Sequence, residues 1–406
     1  MRNDEAGAPM LVNALNRGGR AVKPLLSLDA DVLIAAAKRK TRLEDLGEPG
    51  FREPLERLVD SLDREAQLSM FGRIAARKDL GRLLASRLRM VDDRRLHPDI
   101  AEEKVRRPLI ITGFPRTGTT ILHAILAQDP RHRVPLTWET MYPSPPPRRA
   151  NYHRDRRIGL SAGQLSLMNR LAPAFKRIHP IGAQLPQECL VLSSIGFESY
   201  QFQTMYDVPS YQKWLDEQDL RRSYEGHKFF LQNLQWRCPG DRWVLQAPAH
   251  VFGLDALFAT YPDAGVVMTH RAPGEVIGSL CSLTAVLRGA FSEHVDRRAV
   301  GREMTERFAE GMRLALEARD SGRVPAERFL DVDYRELVQD PLAAVRKIYA
   351  HFGIEWCPEA AERMTAFLAR NPKDKHGKHS YALEQFGLDR AQEEERYRSY
   401  AERFDL

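Results

Sequence analysis

Everything in this chain is organised around Pro108 to Thr120, PLIITGFPRTGTT, which runs straight into the apolar stretch ILHAILAQ. Leu109, Ile110 and Ile111 form a short apolar run with two β-branched members, the pattern of a strand buried on both faces, and Gly113 ends it. The chain must turn there. Gly118 gives the backbone freedom needed where the turn feeds a helix, and Thr119 and Thr120 set hydroxyls beside that helix's unpaired first amides. Such a turn is an anion cradle, because free N–H groups, the positive end of the helix dipole and the guanidinium of Arg116 all favour a phosphate-like group.

Gly113 and Gly118 are separated by four residues, the spacing of a Walker A loop. The lysine is missing. A nucleoside triphosphatase would carry Lys at 119 and a Ser or Thr at 120 to hold magnesium, whereas here Thr119 takes the lysine's place and the cation has moved into the loop as Arg116. The string GFPRTGTT after an apolar strand resembles the 5′-phosphosulfate-binding loop of sulfotransferases that use 3′-phosphoadenosine 5′-phosphosulfate (PAPS), with Arg where many members have Lys. A strand, turn and helix with two glycines also occurs widely in α/β proteins without that ligand.

A chain of 406 residues is long enough for one large domain with an elaborated end. Its net charge of +6 suits an anionic cofactor, but the basic residues are interleaved with acids, which is not a nucleic-acid footprint. Cys189, Cys238, Cys281 and Cys357 lie far apart with no CxxC pair, so neither a zinc site nor a disulfide framework follows and a reducing compartment is the simplest reading. The N-terminal residues lack the apolar core of a signal peptide and no stretch is apolar enough to span a bilayer, so a cytoplasmic location is expected.

Residues 1–104 read as an N-terminal helical layer and 105–406 as the α/β domain. Leu55, Leu58, Val59, Leu62 and Ala66 recur on one helical face after Pro54, and a second helical run spans residues 76–93. A helical insertion on the acceptor side, about 137–236, opens with a loop that Pro143, Pro145, Pro146 and Pro147 keep irregular. Arg148, Arg149, Arg154, Arg156 and Arg157 follow, as a solvated face or as partners for an acidic acceptor. Residues 186–236 are helical and rich in aromatics, as core or as the wall of an apolar acceptor pocket. Apolar strands return at 243–245, 265–269 and 329–334, each leading into a helix. The expected fold is therefore a three-layer α/β parallel sheet, P-loop-like and nucleotide-binding, with ligands at the carboxyl ends of the strands.

At those ends stand the remaining candidates. Arg271 follows the 265–269 strand, and Ser279 comes eight residues later on the helix opened by Pro273. This resembles the sulfotransferase 3′-phosphate site, where an arginine after a strand and a serine eight residues on bind the phosphate that separates PAPS from ATP. Tyr334, ahead of Asp340 and Pro341, resembles the segment that sets an aromatic residue near the adenine. Near the C-terminus Lys373, Lys375, His376, Lys378 and His379 surround Gly377. They look like the basic loop that closes over the nucleotide in this family.

Sulfuryl transfer needs a base for the acceptor and donors for the leaving phosphate, and no metal. The resemblance assigns Arg116 and the amides of Thr117, Gly118, Thr119 and Thr120 to the 5′-phosphate. Two residues compete as base. Glu188 precedes an apolar run, where poor solvation would raise its pKa, and it resembles a glutamate-before-helix element of the bacterial branch. His250, in VLQAPAH, lies in a segment similar to one where a Lys and a following His approach the sulfuryl group, but Gln246 stands where the lysine belongs. The chain is thus expected to be a PAPS-dependent sulfotransferase that releases 3′,5′-adenosine bisphosphate (PAP), acting on a small-molecule, lipid or carbohydrate hydroxyl or amine. The alternatives are a kinase or NTPase, with Asp331 and Asp333 as magnesium carboxylates, and a non-catalytic PAP-binding relative. Acceptor and oligomeric state stay open.

Overall fold

The computed structural model describes residues 12, 16, 18, 26–171, 182–371 and 382–406. Its centre is β1, Leu109–Gly113, every residue of which is buried. It pairs in parallel with β3 (Arg242–Gln246) on one side and β4 (Gly265–His270) on the other, Ile110 facing Leu245 and Val266. Beyond β4 lies β5, Phe329–Asp333, also parallel. A two-residue strand β2, His132–Arg133, completes the order β2-β3-β1-β4-β5.

Side chains alternate across this sheet as a strand requires. Ile110, Leu245, Val266 and Met268 face a core shared with Leu257, Ile277 and Met312, while Leu109, Ile111, Val244, Val267 and Val332 face Leu122, Ile125, Val345 and Ile348. Helices cover both faces, so the expected three-layer parallel architecture stands. Each fully buried aliphatic side chain here contributes about 1.5–3 kcal/mol relative to exposure, which is why an apolar run as short as Leu109–Ile111 suffices to fix the central strand.

The N-terminal helices are Ala30–Thr41, Arg52–Arg64 and Met70–Leu96. The stripe Leu55, Leu58, Val59, Leu62 and Ala66 is buried, and it closes on Leu80, Leu84 and Leu88 together with Phe197, Phe202, Tyr206 and Tyr211. The aromatic segment is thereby used largely as scaffold. Tyr224 and Phe230 belong to the sheet-side core instead, and Met90 extends the long helix into that same core. After the proline-rich loop, Arg157 is buried and pairs with Asp155 at 2.8 Å, while Arg148, Arg149, Arg154 and Arg156 are exposed. Among the described residues no helix is long and apolar enough to cross a membrane.

Candidate active site

At the carboxyl end of β1 the backbone bends sharply. Gly113 sits at φ +126°, and a Cβ there would come within 2.3 Å of the Thr269 carbonyl oxygen, so β4 leaves room only for glycine. The Thr117 hydroxyl donates to the Phe114 carbonyl at 2.6 Å and meets the Thr269 hydroxyl at 2.5 Å, which folds the loop back onto the sheet. Its hydroxyl is spent in this way, leaving its amide for a ligand. Gly118 then caps the helix Thr119–Leu126 at φ +89°, with no side chain bonded to the helix end. No hydrogen bond within the described residues takes up the amides of Thr117, Gly118, Thr119 or Thr120. Arg116 and Thr120 are exposed at the mouth of the turn and Thr119 is buried beneath it. Unspent amides, a helix N-terminus and a cation converge here as an anion site requires.

Arg271 emerges one residue beyond β4 and leans over this loop. Its Nη1 donates to the Arg116 carbonyl at 3.1 Å, its Nε donates to Glu275 at 2.9 Å, and its guanidinium lies 4.3 Å from the centre of the Tyr334 ring. The same tyrosine ring comes within 3.2 Å of where a Gly118 Cβ would stand. Three stretches far apart in the chain, at 116–118, 271 and 334, therefore close on one point. Ser279 lies two turns into the helix Pro273–Gly289 and is 8% exposed. Lys375, His376, Gly377, Lys378 and His379 lie outside the described residues.

The carboxylates a magnesium site would need are already taken. Asp331 accepts from His270 Nε2 at 2.8 Å and from both terminal nitrogens of Arg319 at 2.8 Å. Burial works against its charge, but His270 and Arg319 outweigh that and hold the carboxyl well below its usual range. Asp333 caps the helix Tyr334–Gln339 and pairs with Arg335.

On the far side of β1, Thr112 donates to the Ala247 carbonyl at 3.0 Å and so ties the segment after β3 to the strand that feeds the cradle. Within that segment His250 is 5% exposed; its Nδ1 lies 2.7 Å from the Tyr224 hydroxyl, and its Nε2 has no partner among the described residues. Burial pushes the imidazole down to about 3, so it is neutral at physiological pH. Glu188 occupies the N-cap position of the helix Cys189–Ser193 yet makes no side-chain cap bond. Burial pushes its carboxyl up to about 7, and the nearby Gln246 amide opposes this only weakly. Gln246 itself is 1% exposed, and its Nε2 finds no acceptor in good geometry. A second dyad escapes sequence reasoning: His227 Nδ1 lies 2.7 Å from the Tyr261 hydroxyl, with its Nε2 again unpartnered and its ring 6.3 Å from that of His250. Nothing local marks His227, a histidine on an ordinary helix. A separate cleft of about 500 Å³, lined among others by Tyr200, Phe252, Glu310 and Arg323, shares no residue with the cradle.

Comparisons with known proteins bear on this geometry. A family model described as the sulfotransferase family matches residues 108–358. The chain is 25% identical over 290 residues to the omega-hydroxy-beta-dihydromenaquinone-9 sulfotransferase Stf3 of Mycobacterium bovis, covering 68% of this chain and 71% of that one. The Mycobacterium tuberculosis protein of the same name matches equally. Among solved structures, sulfotransferase STF1 from Mycobacterium tuberculosis superposes with a TM-score of 0.81 at 33% identity, over 91% of this chain and 98% of that one. STF9 from Mycobacterium avium gives a TM-score of 0.84 at 29% identity, over 93% and 96%.

Proposed function

This chain belongs to the sulfotransferase family and is an enzyme of sulfuryl transfer; from that premise we propose that PAPS is its donor, that its acceptor is a hydroxyl on an apolar molecule, and that Glu188 takes the acceptor's proton. The observation that carries the donor is the convergence of Arg271 on the Arg116 carbonyl and the Tyr334 ring beside the unspent cradle amides. The residues fit the group. A 5′-phosphate suits the amides of residues 117–120, and Arg271 with Ser279 suits the 3′-phosphate that ATP lacks. Tyr334 offers a ring face beside them for the adenine. When bound, PAPS supplies a sulfur already joined to a good phosphate leaving group.

The cradle amides, Arg116 and Thr120 stabilise the negative charge that collects on the departing phosphate. Gln246 carries no charge, so the cationic part of that work falls to Arg116. Glu188, with its carboxyl raised to about 7, is half ionised near neutral pH and accepts the hydroxyl proton as the acceptor oxygen attacks sulfur. The apolar acceptor is proposed because the mycobacterial relatives are named for a hydroxylated menaquinone. All four cysteines are free, in keeping with a reducing, cytoplasmic setting.

Calorimetric titration with PAP, beside 5′-AMP and ATP, tests the donor. Tight binding of PAP alone, lost in Arg271→Ala, is the expected result. Equal binding of PAP and AMP would remove the 3′-phosphate site.

A further inference from the structure

The helix Arg156–Leu171 does little for the core beneath it. Of its 16 residues only Arg157 and Ser161 are buried. Arg157 is the anchor: it donates to the Tyr142 carbonyl at 2.9 Å, pairs with Asp155 at 2.8 Å, and sets its guanidinium 4.8 Å from the centre of the buried Trp138 ring. The rest of the helix projects.

The projecting side carries leucine and arginine together. Leu160 and Leu167 are 54% and 53% exposed, with the exposed Arg156 and Arg170 on either side of them in the chain. Steps of four, seven and three residues put all four on one side of the helix. A third exposed leucine, Leu185, stands on the same support, since the Thr137 amide donates to its carbonyl at 3.0 Å and the Trp138 amide to that of Ala183 at 2.9 Å. Among the described residues these three leucines are half of the exposed large apolar side chains, so exposure is concentrated here rather than scattered.

The charge beside them is of one sign. Between Tyr142 and Leu171 the chain holds six arginines and a single acid, Asp155, which Arg157 already neutralises. Arg148, Arg149, Arg154, Arg156 and Arg170 are exposed, and none is in an ion pair among the described residues. Exposed leucines beside unpaired arginines match the surface of an anionic bilayer, where leucines enter the acyl boundary and arginines stay among the phosphates. A second copy docked face to face would instead set these arginines against one another. We propose that the helix Arg156–Leu171, with the arginines that precede it, is a docking surface for an anionic phospholipid membrane, on which the chain lies without crossing it. Leu185 stands three residues before Glu188, so docking brings the bilayer up to the segment that leads into the acceptor side. That consequence rests on the acceptor reading given above; the docking itself does not.

Co-sedimentation of the whole protein with vesicles tests this without donor or acceptor. Wild type should bind vesicles of equal phosphatidylglycerol and phosphatidylcholine in dilute buffer, bind pure phosphatidylcholine far more weakly, and lose affinity as salt rises. Leu160→Ser/Leu167→Ser should bind the anionic vesicles about tenfold or more weakly at an unchanged melting temperature. Arg154→Gln/Arg156→Gln/Arg170→Gln should bind about 100-fold more weakly, at roughly fivefold for each arginine. The matched change Val32→Ser/Ile74→Ser, at exposed apolar positions on the N-terminal helices, should leave binding as it is. Equal losses in both serine doubles, or no binding by wild type, would overturn the proposal. If wild type ignores vesicles but dimerises in the ultracentrifuge, and the Leu160/Leu167 double does not, the face is a contact between copies of this chain instead.

Discussion

The guanidinium of Arg271 lies 4.3 Å from the centre of the Tyr334 ring, joining the end of β4 to the first turn after β5 directly over the cradle. The stack leaves Nη1 free to bond the Arg116 carbonyl, so Arg271 both braces the loop and offers charge above it. Arg271→Ala should weaken PAP about 10- to 100-fold while changing 5′-AMP little, as expected for one charge-assisted contact made to the 3′-phosphate. Arg271→Lys should recover only part of this, since an ammonium lacks the planar fork. Calorimetry on the three proteins checks both.

Gly118 is constrained twice, by its φ of +89° and by Leu337 Cδ2, which would stand 2.6 Å from an added Cβ. Gly118→Ala should therefore lose about 1–3 kcal/mol of stability and most of its affinity for PAP. Gly81 gives the contrast: it lies inside the helix Met70–Leu96 with open space around it. Gly81→Ala should gain about 0.5–1 kcal/mol and leave PAP binding untouched. Denaturant melts of the two variants decide between them.

The sheet and cradle were legible in the sequence because their causes are local. Apolar runs mark β1, β3, β4 and β5, and Gly113 and Gly118 stand where the backbone needs them. The edge strand β2 is only His132 and Arg133, too short to leave an apolar run, and it exists because β3 offers a pairing edge. Distance in the chain hid the rest. Tyr224 and His250 are 26 residues apart, and no periodicity in either segment announces that one hydroxyl meets one imidazole. The aromatic segment reads mostly as core with some members able to wall a pocket, and it is the fold that shows Phe197, Phe202 and Tyr211 meeting the N-terminal helices.

Glu188 makes a prediction in pH. Its carboxyl is raised to about 7, and catalysis uses the ionised form, so kcat/KM should fall as pH drops through about 7. Glu188→Gln should abolish that limb along with most of the rate. Stability should respond with a definite sign. A carboxyl with a folded pKa above its unfolded value contributes stability below the unfolded pKa that is lost as pH rises through about 7. Glu188→Gln should then melt higher than wild type at pH 8 and show no such advantage at pH 4; an advantage at pH 4 alone would contradict the burial of this group.

Asp331 separates sulfotransferase from kinase chemistry at a single side chain. Its oxygens are already used by His270 and Arg319, with Arg319 held in a two-pronged pair. It therefore has a structural task and is not poised to hold magnesium. Removing it strands a half-buried guanidinium and frees His270, so Asp331→Asn should lose about 1–3 kcal/mol of stability. Because Asp331 does not touch the cradle, the variant's affinity for PAP should change by less than about threefold. Thermal shift assays with PAP and with magnesium-ATP on both proteins give the contrast. Wild type and variant should each be stabilised by PAP and by neither magnesium nor its ATP complex. Magnesium-dependent stabilisation that disappears with Asp331 would instead place a metal carboxylate in the middle of β5 and reopen phosphoryl transfer.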